Sequence, residues 1–108
     1  MDKQFNPFSL EGKVIVISGA ASGIARQCAI SCSKMGAKLI LLDLNEKGLK
    51  ETMGMVERPD EHFFASVNLT EYEKVGEIIK EAVAKVGRIN GLLTSRSEER
   101  FSRNAETD

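Results

Sequence analysis

Several residue types that carry binding chemistry are scarce in this chain. It has one histidine, one tyrosine and two cysteines in 108 residues, and its net charge is -1. A nearly neutral chain offers no basic field for nucleic acid and no polybasic membrane anchor. The single histidine, His62, has no cysteine near it in the sequence, so we expect a surface or strand-edge histidine and no metal site.

The chain also lacks a long hydrophobic run. No apolar stretch approaches the roughly 20 residues of a membrane-spanning helix, and residues 1–7 lack the apolar core of a signal peptide. Cys28 and Cys32 lie on one face of a helical stretch, which is neither a metal clamp nor a redox pair, so we expect small buried thiols. These features predict a cytoplasmic protein with no membrane or nucleic-acid partner.

Short apolar runs alternate with helical patterns along most of the chain. The predicted strands are 13–18, 39–43, 62–67 and 89–93, and the predicted helices are 23–35, 46–56 and 71–86. Asn45 is expected to cap the second helix, and Thr70 with Glu73 to form a capping box at the third. The alternation predicts an α/β fold: a Rossmann-like parallel sheet of strand order 3-2-1-4, with helices on both faces and a ligand crevice where the order reverses.

The composition changes after Leu93. Residues 94–108 contain only Phe101 and Ala105 as apolar residues. Because no face is set up for burial, we expect a disordered or loosely helical tail. The prediction is therefore a partial dinucleotide-binding domain over residues 1–93, truncated after strand four, and a polar tail over residues 94–108.

The residues between the first strand and the first helix are typical of a phosphate-binding turn. Gly19 and Gly23 flank three small residues, so the backbone can approach a diphosphate while N–H groups at the helix start face its charge. Asp43 ends the second strand, where a carboxylate can accept hydrogen bonds from ribose hydroxyls and would repel a 2′-phosphate. This order predicts a dinucleotide site that prefers NAD over NADP. The alternative is a tight turn and a strand-end acid that bind nothing.

From Leu10 to Leu93 the sequence resembles the short-chain dehydrogenase/reductase family. Four segments carry the resemblance: LEGKV at 10–14, SGAASGIA at 18–25, NLT at 68–70 and GRINGLL at 87–93. The resemblance implies an oxidoreductase that transfers hydride between NAD(H) and an alcohol or carbonyl compound. It also implies a cofactor-binding set, in which Asn68 contacts the adenine: Gly19, Ser22, Gly23, Ile24, Asp43 and Asn68.

Three departures distinguish this chain from the family pattern. Ala25 occupies the position of a third glycine, and its methyl group is expected to weaken cofactor binding without excluding it. Asn68 replaces an aspartate, and Arg96 falls where the family has a small residue. The catalytic serine and the Tyr-x-x-x-Lys motif of the family would come later, and the one tyrosine, Tyr72, is followed four positions on by Gly76.

We therefore predict the NAD(P)-binding half of a short-chain dehydrogenase/reductase, with no catalytic residues of its own and a dinucleotide as its ligand. The alternative is a non-catalytic module that forms homo-oligomers. Strand four would then be an uncovered edge, and such edges invite pairing with another chain. Saturable NAD binding favours the first interpretation, and a stable oligomer without nucleotide affinity favours the second.

Overall fold

Strands and helices alternate throughout the part of the chain that the structure, a computed structural model, describes, which is residues 9–94. The elements are β1 (Val14–Ser18), α1 (Gly23–Lys34), β2 (Lys38–Asp43), α2 (Glu46–Met53), a short 3-10 helix (Pro59–Glu61), β3 (Phe63–Ser66), α3 (Tyr72–Val86) and β4 (Gly91–Leu93). Every strand pair is parallel, and the order is β3-β2-β1-β4. The predicted Rossmann-like sheet is confirmed. The predicted tail lies outside the described residues, except for Thr94.

The two central strands are buried because helices cover both faces of the sheet. Leu39 and Leu41 of β2 belong to an apolar cluster that includes residues of α1 and α2. Ile40 and Leu42 belong to a second cluster, with residues of α3. Successive side chains of a strand point to opposite faces, so a continuous apolar run supplies both clusters.

The pairing of β1 with β2 sets the position of the turn that follows β1. Ser18 pairs with Leu42 at the end of the strands. The N–H groups of Gly19 and Ala20 then donate to the carbonyl oxygen of Leu42, at 2.8 and 3.3 Å. The turn therefore begins beside the carboxyl end of β2, next to Asp43.

The boundaries of the predicted elements hold to within a few residues. α2 ends at Met53 rather than at Val56, and β4 begins at Gly91 rather than at Ile89. The predicted cap of α2 is confirmed, because Asn45 Oδ1 accepts a hydrogen bond at 3.0 Å from a backbone N–H in the first turn of the helix. No helix within residues 9–94 has the length and apolar character needed to cross a membrane.

The predicted capping box at α3 is wrong. The Thr70 hydroxyl donates to Asn68 Oδ1 at 2.7 Å, and the same oxygen accepts the Thr70 N–H at 3.0 Å. Asn68 thus binds its own backbone two residues on, which is a common alternative to helix capping. The helix begins at Tyr72, and Glu71 precedes it without a side-chain cap.

The prediction that His62 is a surface or strand-edge residue is also wrong, because the side chain is 1% exposed. Its Nδ1 accepts the N–H of Leu39 at 3.0 Å. Since a backbone N–H only donates, Nδ1 carries no proton, and the protonated Nε2 donates to the Glu57 carbonyl at 2.7 Å. The neutral ring joins β2 to the loop that follows α2.

Burial is the main reason why the pKa of His62 lies below its ordinary value. The positive charges of Arg58 and Lys85 act in the same direction. The hydrogen bond to Glu57 and the charge of Glu61 oppose them. The unfolded chain therefore takes up a proton at His62 at a higher pH than the folded protein does.

We expect the free energy of unfolding to fall as the pH is lowered from about 7 to about 5, by at most about 1.4 kcal/mol per pH unit, because unfolding takes up one proton in this range. Urea unfolding followed by circular dichroism at several pH values measures this slope. Since the chain has one histidine, the variant His62→Gln is expected to lose this dependence of the unfolding free energy on pH. An equal slope in both proteins would contradict the burial of a neutral ring.

Candidate dinucleotide site

The turn between β1 and α1 presents backbone without bulky side chains. Gly19 and Gly23 have φ angles of 72° and 66°, a region that other residues rarely adopt. A Cβ at Gly23 would meet nothing within 4 Å, so the backbone conformation, rather than crowding, calls for glycine there. The turn leads directly into the N-terminus of α1, where unpaired N–H groups favour an anion.

Asp43 lies against this turn. Its Oδ2 accepts the N–H of Ala21 at 3.0 Å, and its Oδ1 accepts the N–H of Asn45 at 3.0 Å. A carboxylate has about four lone-pair sites, so each oxygen can still accept a hydrogen bond from a ligand hydroxyl. The half-buried carboxylate is thus fixed in position and remains able to bind.

Ser22 and Ile24 of the predicted set lie on the exposed side of the turn. Ser22 is the residue before α1, with extended backbone and no capping bond from its side chain. Ile24 is 83% exposed, which is unusual for a large apolar residue beside a core. Both residues therefore lie directly beside Gly23 of the turn, and Ile24 is on the side of α1 that carries Cys28.

Asn68 is the member of the predicted set that is separate from the turn. It follows β3, whose Ser66 pairs with Asp43, and β2 lies between β3 and β1. The side chain is exposed, and its Oδ1 is engaged by Thr70. Asn68 shares the carboxyl edge of the sheet with the turn but does not contact it through any hydrogen bond of the described residues.

Ala25 is buried beneath the turn. It is 7% exposed and belongs to the apolar cluster between the sheet and the helices α1 and α2. Its methyl group therefore packs into the core at the start of α1. The expected effect of this residue on cofactor affinity stays a prediction.

The side-chain contacts that hold the turn, from α2 and from α1, were not predicted from the sequence. The Thr52 hydroxyl donates to the Ala20 carbonyl at 2.7 Å, and Arg26 donates to the Ala21 carbonyl. Gly48 packs so closely that an added Cβ would lie 2.6 Å from the Cβ of Ala21. A glycine inside a short helix is the one sequence signal that points to such an approach.

Two apolar depressions flank β4. One is a cavity of about 270 Å³ between the sheet and α3, with Ser18 and Leu92 among its lining residues. The Ser18 hydroxyl is buried there and has no hydrogen-bond partner within residues 9–94. The other is a groove along α1, lined in part by Cys28, Cys32 and Leu93.

The two cysteines differ from their prediction, because both are half-buried rather than buried. They lie on the side of α1 that borders the groove beside β4. Burial and the neighbouring Cys28 raise the pKa of Cys32, so this thiol stays protonated at neutral pH. Among residues 9–94, no group of three or more acidic, histidine or cysteine side chains is arranged to hold a metal ion.

The sequence is similar to known proteins of one family. The family model of the short chain dehydrogenases matches residues 13–108. A 3-oxoacyl-[acyl-carrier-protein] reductase of Thermotoga maritima is 33% identical over 90 residues, which are 80% of this chain and 35% of that protein.

Solved structures of dehydrogenases and reductases also resemble this chain. A 3-ketoacyl-(acyl-carrier-protein) reductase from Brucella melitensis complexed with NADH is 28% identical, with a TM-score of 0.71 over 78% of this chain and 34% of the other. A carveol dehydrogenase from Mycobacterium avium in complex with NAD is 27% identical, with a TM-score of 0.72 over 77% and 35%. This chain spans about a third of the length of these relatives.

We expect Gly48→Ala to lower the free energy of unfolding by about 1–3 kcal/mol, because the new methyl group overlaps Ala21. Gly76→Ala is the matched control: Gly76 also lies inside a helix, but a Cβ there meets nothing within 4 Å. The control is expected to gain about 1 kcal/mol from helix propensity. Urea unfolding measures both changes, and equal gains in the two variants would show that α2 does not press against the turn.

Proposed function

Since the chain belongs to the short-chain dehydrogenase/reductase family, we propose that residues 1–93 form the part of such an enzyme that binds the adenosine and diphosphate portions of NAD. One observation carries this proposal: the Asp43 carboxylate lies 3.0 Å from the Ala21 N–H in the glycine turn. The carboxylate proposed to bind the ribose and the turn proposed to bind the diphosphate therefore adjoin at the carboxyl edge of the sheet, where open α/β folds bind ligands.

Each residue of the site has a defined part in this proposal. Ser22 and Gly23 bring backbone N–H groups to the diphosphate, whose charge is favoured by the N-terminus of α1. Gly19, whose N–H donates to the Leu42 carbonyl, lets the backbone of the turn approach the diphosphate without a side chain. Ile24, exposed beside the turn, offers apolar surface on the nicotinamide side. Asn68 uses the amide end of its side chain toward the adenine, since its Oδ1 is already bonded.

Asp43 is proposed to select NAD over NADP. Its two oxygens accept hydrogen bonds from the ribose hydroxyls of NAD with the lone pairs that Ala21 and Asn45 leave open. The 2′-phosphate of NADP would place a second negative charge against a half-buried carboxylate, which is unfavourable at this distance. The preference therefore depends on one side chain.

The reaction of the whole enzyme is proposed to be hydride transfer between NAD(H) and an alcohol or carbonyl compound, in the cytoplasm. Bound NAD supplies the hydride chemistry, and the residues of this chain bind and orient it. The one tyrosine, Tyr72, begins α3, and Gly76 follows it where the family motif has lysine. We therefore propose that these 108 residues bind the dinucleotide without turning over substrate.

Isothermal titration calorimetry with NAD and NADP tests the proposal on the 108-residue chain. We expect weak, saturable NAD binding and an affinity for NADP at least about tenfold lower, because of the added like charge. Asp43→Asn removes the negative charge of the side chain and nearly keeps its shape. This variant is expected to reduce the difference between the affinities for NAD and NADP.

Two results would overturn the proposal. One is the absence of NAD binding at millimolar ligand concentration. The other is turnover of any member of a broad panel of alcohols by the isolated chain, because turnover requires an acid–base group that the proposal does not assign.

The second candidate function is self-association through β4, and the exposure of two leucines favours it. Leu92 is 58% exposed and Leu93 is 40% exposed. They point to opposite faces of a strand that forms the edge of the described sheet. A second copy that covered β4 would bury both side chains and satisfy the open strand edge.

Sedimentation velocity at several protein concentrations tests this candidate. We expect a concentration-dependent dimer in the wild type and a monomer when Leu92 and Leu93 are both replaced by lysine, because charged side chains on an edge strand oppose pairing. Met55→Lys is the control, since Met55 is 48% exposed but follows α2, away from β4. A wild type that stays monomeric at all concentrations would exclude the candidate.

A further inference from the structure

We propose that Thr52 and Arg26 are positioning residues for the diphosphate of the dinucleotide. They hold two carbonyl groups of the glycine turn against α2, so that the Ser22 N–H group faces the ligand. Neither side chain is assigned a contact with the ligand. The inference rests on the proposed function, because it concerns the same site.

Thr52 connects α2 to the turn through a fully buried hydroxyl group. Its Oγ1 lies 2.7 Å from the Ala20 carbonyl and 3.1 Å from the Gly48 carbonyl. The second contact is the usual one of a helical threonine with the carbonyl four residues earlier. A hydroxyl has one proton to donate, and the shorter distance assigns that proton to Ala20.

Arg26 reaches from α1 across to α2. Its Nε donates to Thr52 Oγ1 at 2.9 Å, so the hydroxyl proton points away from Arg26. Its Nη2 donates to the Ala21 carbonyl and to the Gly48 carbonyl. The guanidinium group, whose donors are fixed in one plane, thus binds the turn and α2 together.

The charge of Arg26 is partly compensated. Glu51 Oε1 lies 3.2 Å from Nη2, and the arginine side chain is only 18% exposed while the glutamate is 53% exposed. The ion pair is therefore mostly open to solvent on the side of Glu51 and contributes little by itself. The hydrogen bonds of Arg26 to carbonyl groups, rather than the ion pair, therefore hold the turn.

The orientation of the peptide groups explains why these contacts matter for an anion. In a trans peptide the C=O and N–H bonds point in opposite directions. When Arg26 holds the carbonyl of Ala21 toward α2, the N–H of Ser22 points away from α2. The peptide between Ala20 and Ala21 is fixed in the same way, with its carbonyl on Thr52 and its N–H on Asp43.

If the Ala20 and Ala21 carbonyl groups lost these hydrogen bonds, different backbone groups would face the diphosphate. A rotated peptide between Ala21 and Ser22 would present a carbonyl oxygen to the ligand in place of an N–H group. Anions are stabilised by converging N–H groups and repelled by carbonyl oxygens. Arg26, which is hydrogen-bonded to Thr52, therefore acts on the diphosphate through the peptide between Ala21 and Ser22. Asp43 keeps its second hydrogen bond, from the Asn45 N–H, when the peptide between Ala20 and Ala21 is released.

A matched pair of variants at one position tests the assignment. Thr52→Val keeps the shape of the side chain and loses the hydroxyl, whereas Thr52→Ser keeps the hydroxyl. NMR titrations of the 108-residue chain with ADP-ribose and with adenosine measure both affinities. They also follow the Ser22 and Gly23 amide signals.

We expect Thr52→Val to weaken ADP-ribose binding about tenfold, which is the effect of losing one well-placed hydrogen bond, while adenosine binding changes less than about twofold. Thr52→Ser is expected to retain the wild-type affinity for both ligands. The Ser22 amide signal should shift on ADP-ribose addition in the wild type and in Thr52→Ser, and shift less in Thr52→Val. Arg26→Lys, which keeps the charge but loses the planar donors, should behave like Thr52→Val and serves as the test if that variant does not fold.

The possible failures are distinct. If the wild type binds ADP-ribose and Thr52→Val, or Arg26→Lys in its place, binds it equally well, the positioning assignment is overturned and the proposed function stands. If the affinities for ADP-ribose and adenosine fall in parallel, the residues support the fold in general, and the assignment is again overturned. If the wild type binds neither ligand, the proposed function fails and the assignment fails with it.

Discussion

The parallel pairing of β1 with β2 is the constraint on which the rest of this structure depends. The ladder runs past Ser18 into the turn, because the N–H groups of Gly19 and Ala20 continue to donate to the Leu42 carbonyl. This register places the Asp43 carboxylate against the Ala21 N–H. A slip of one residue would exchange the two faces of β2 and remove Asp43 from the turn, so core and site depend on the same pairing.

Most of the fold could be predicted because its signals are local. The apolar runs of β1 and β2 are continuous, as expected for strands covered on both faces, and glycines mark the turns between elements. The right-handed crossover rule then leaves few possible strand orders. The proximity of the glycine turn and Asp43 could be predicted for the same reason, since the residue types and their order along the chain carry the information.

The remaining features could not be predicted because they depend on contacts between residues that are distant in the sequence. His62 is buried because its ring nitrogens meet the backbone of Leu39 and Glu57, which no periodicity shows. Thr52 reaches Ala20 only when α2 has packed against the turn that follows β1. The wrong prediction of a capping box at Thr70 has a local cause, because the neighbouring Asn68 accepts the hydrogen bond of the hydroxyl that would cap α3. A turn from Asn68 to Thr70 and a capping box from Thr70 to Glu73 are both compatible with this sequence.

The central claim is that the backbone at the start of α1 and the Asp43 carboxylate bind the two ends of an ADP group. A crystal structure of the 108-residue chain grown with NAD tests it most directly. The account predicts electron density for the diphosphate against the Ser22 and Gly23 N–H groups, with ribose hydroxyls within hydrogen-bond distance of Asp43. Density for the dinucleotide in the apolar cavity behind β4, or along the cysteine side of α1, would contradict the account.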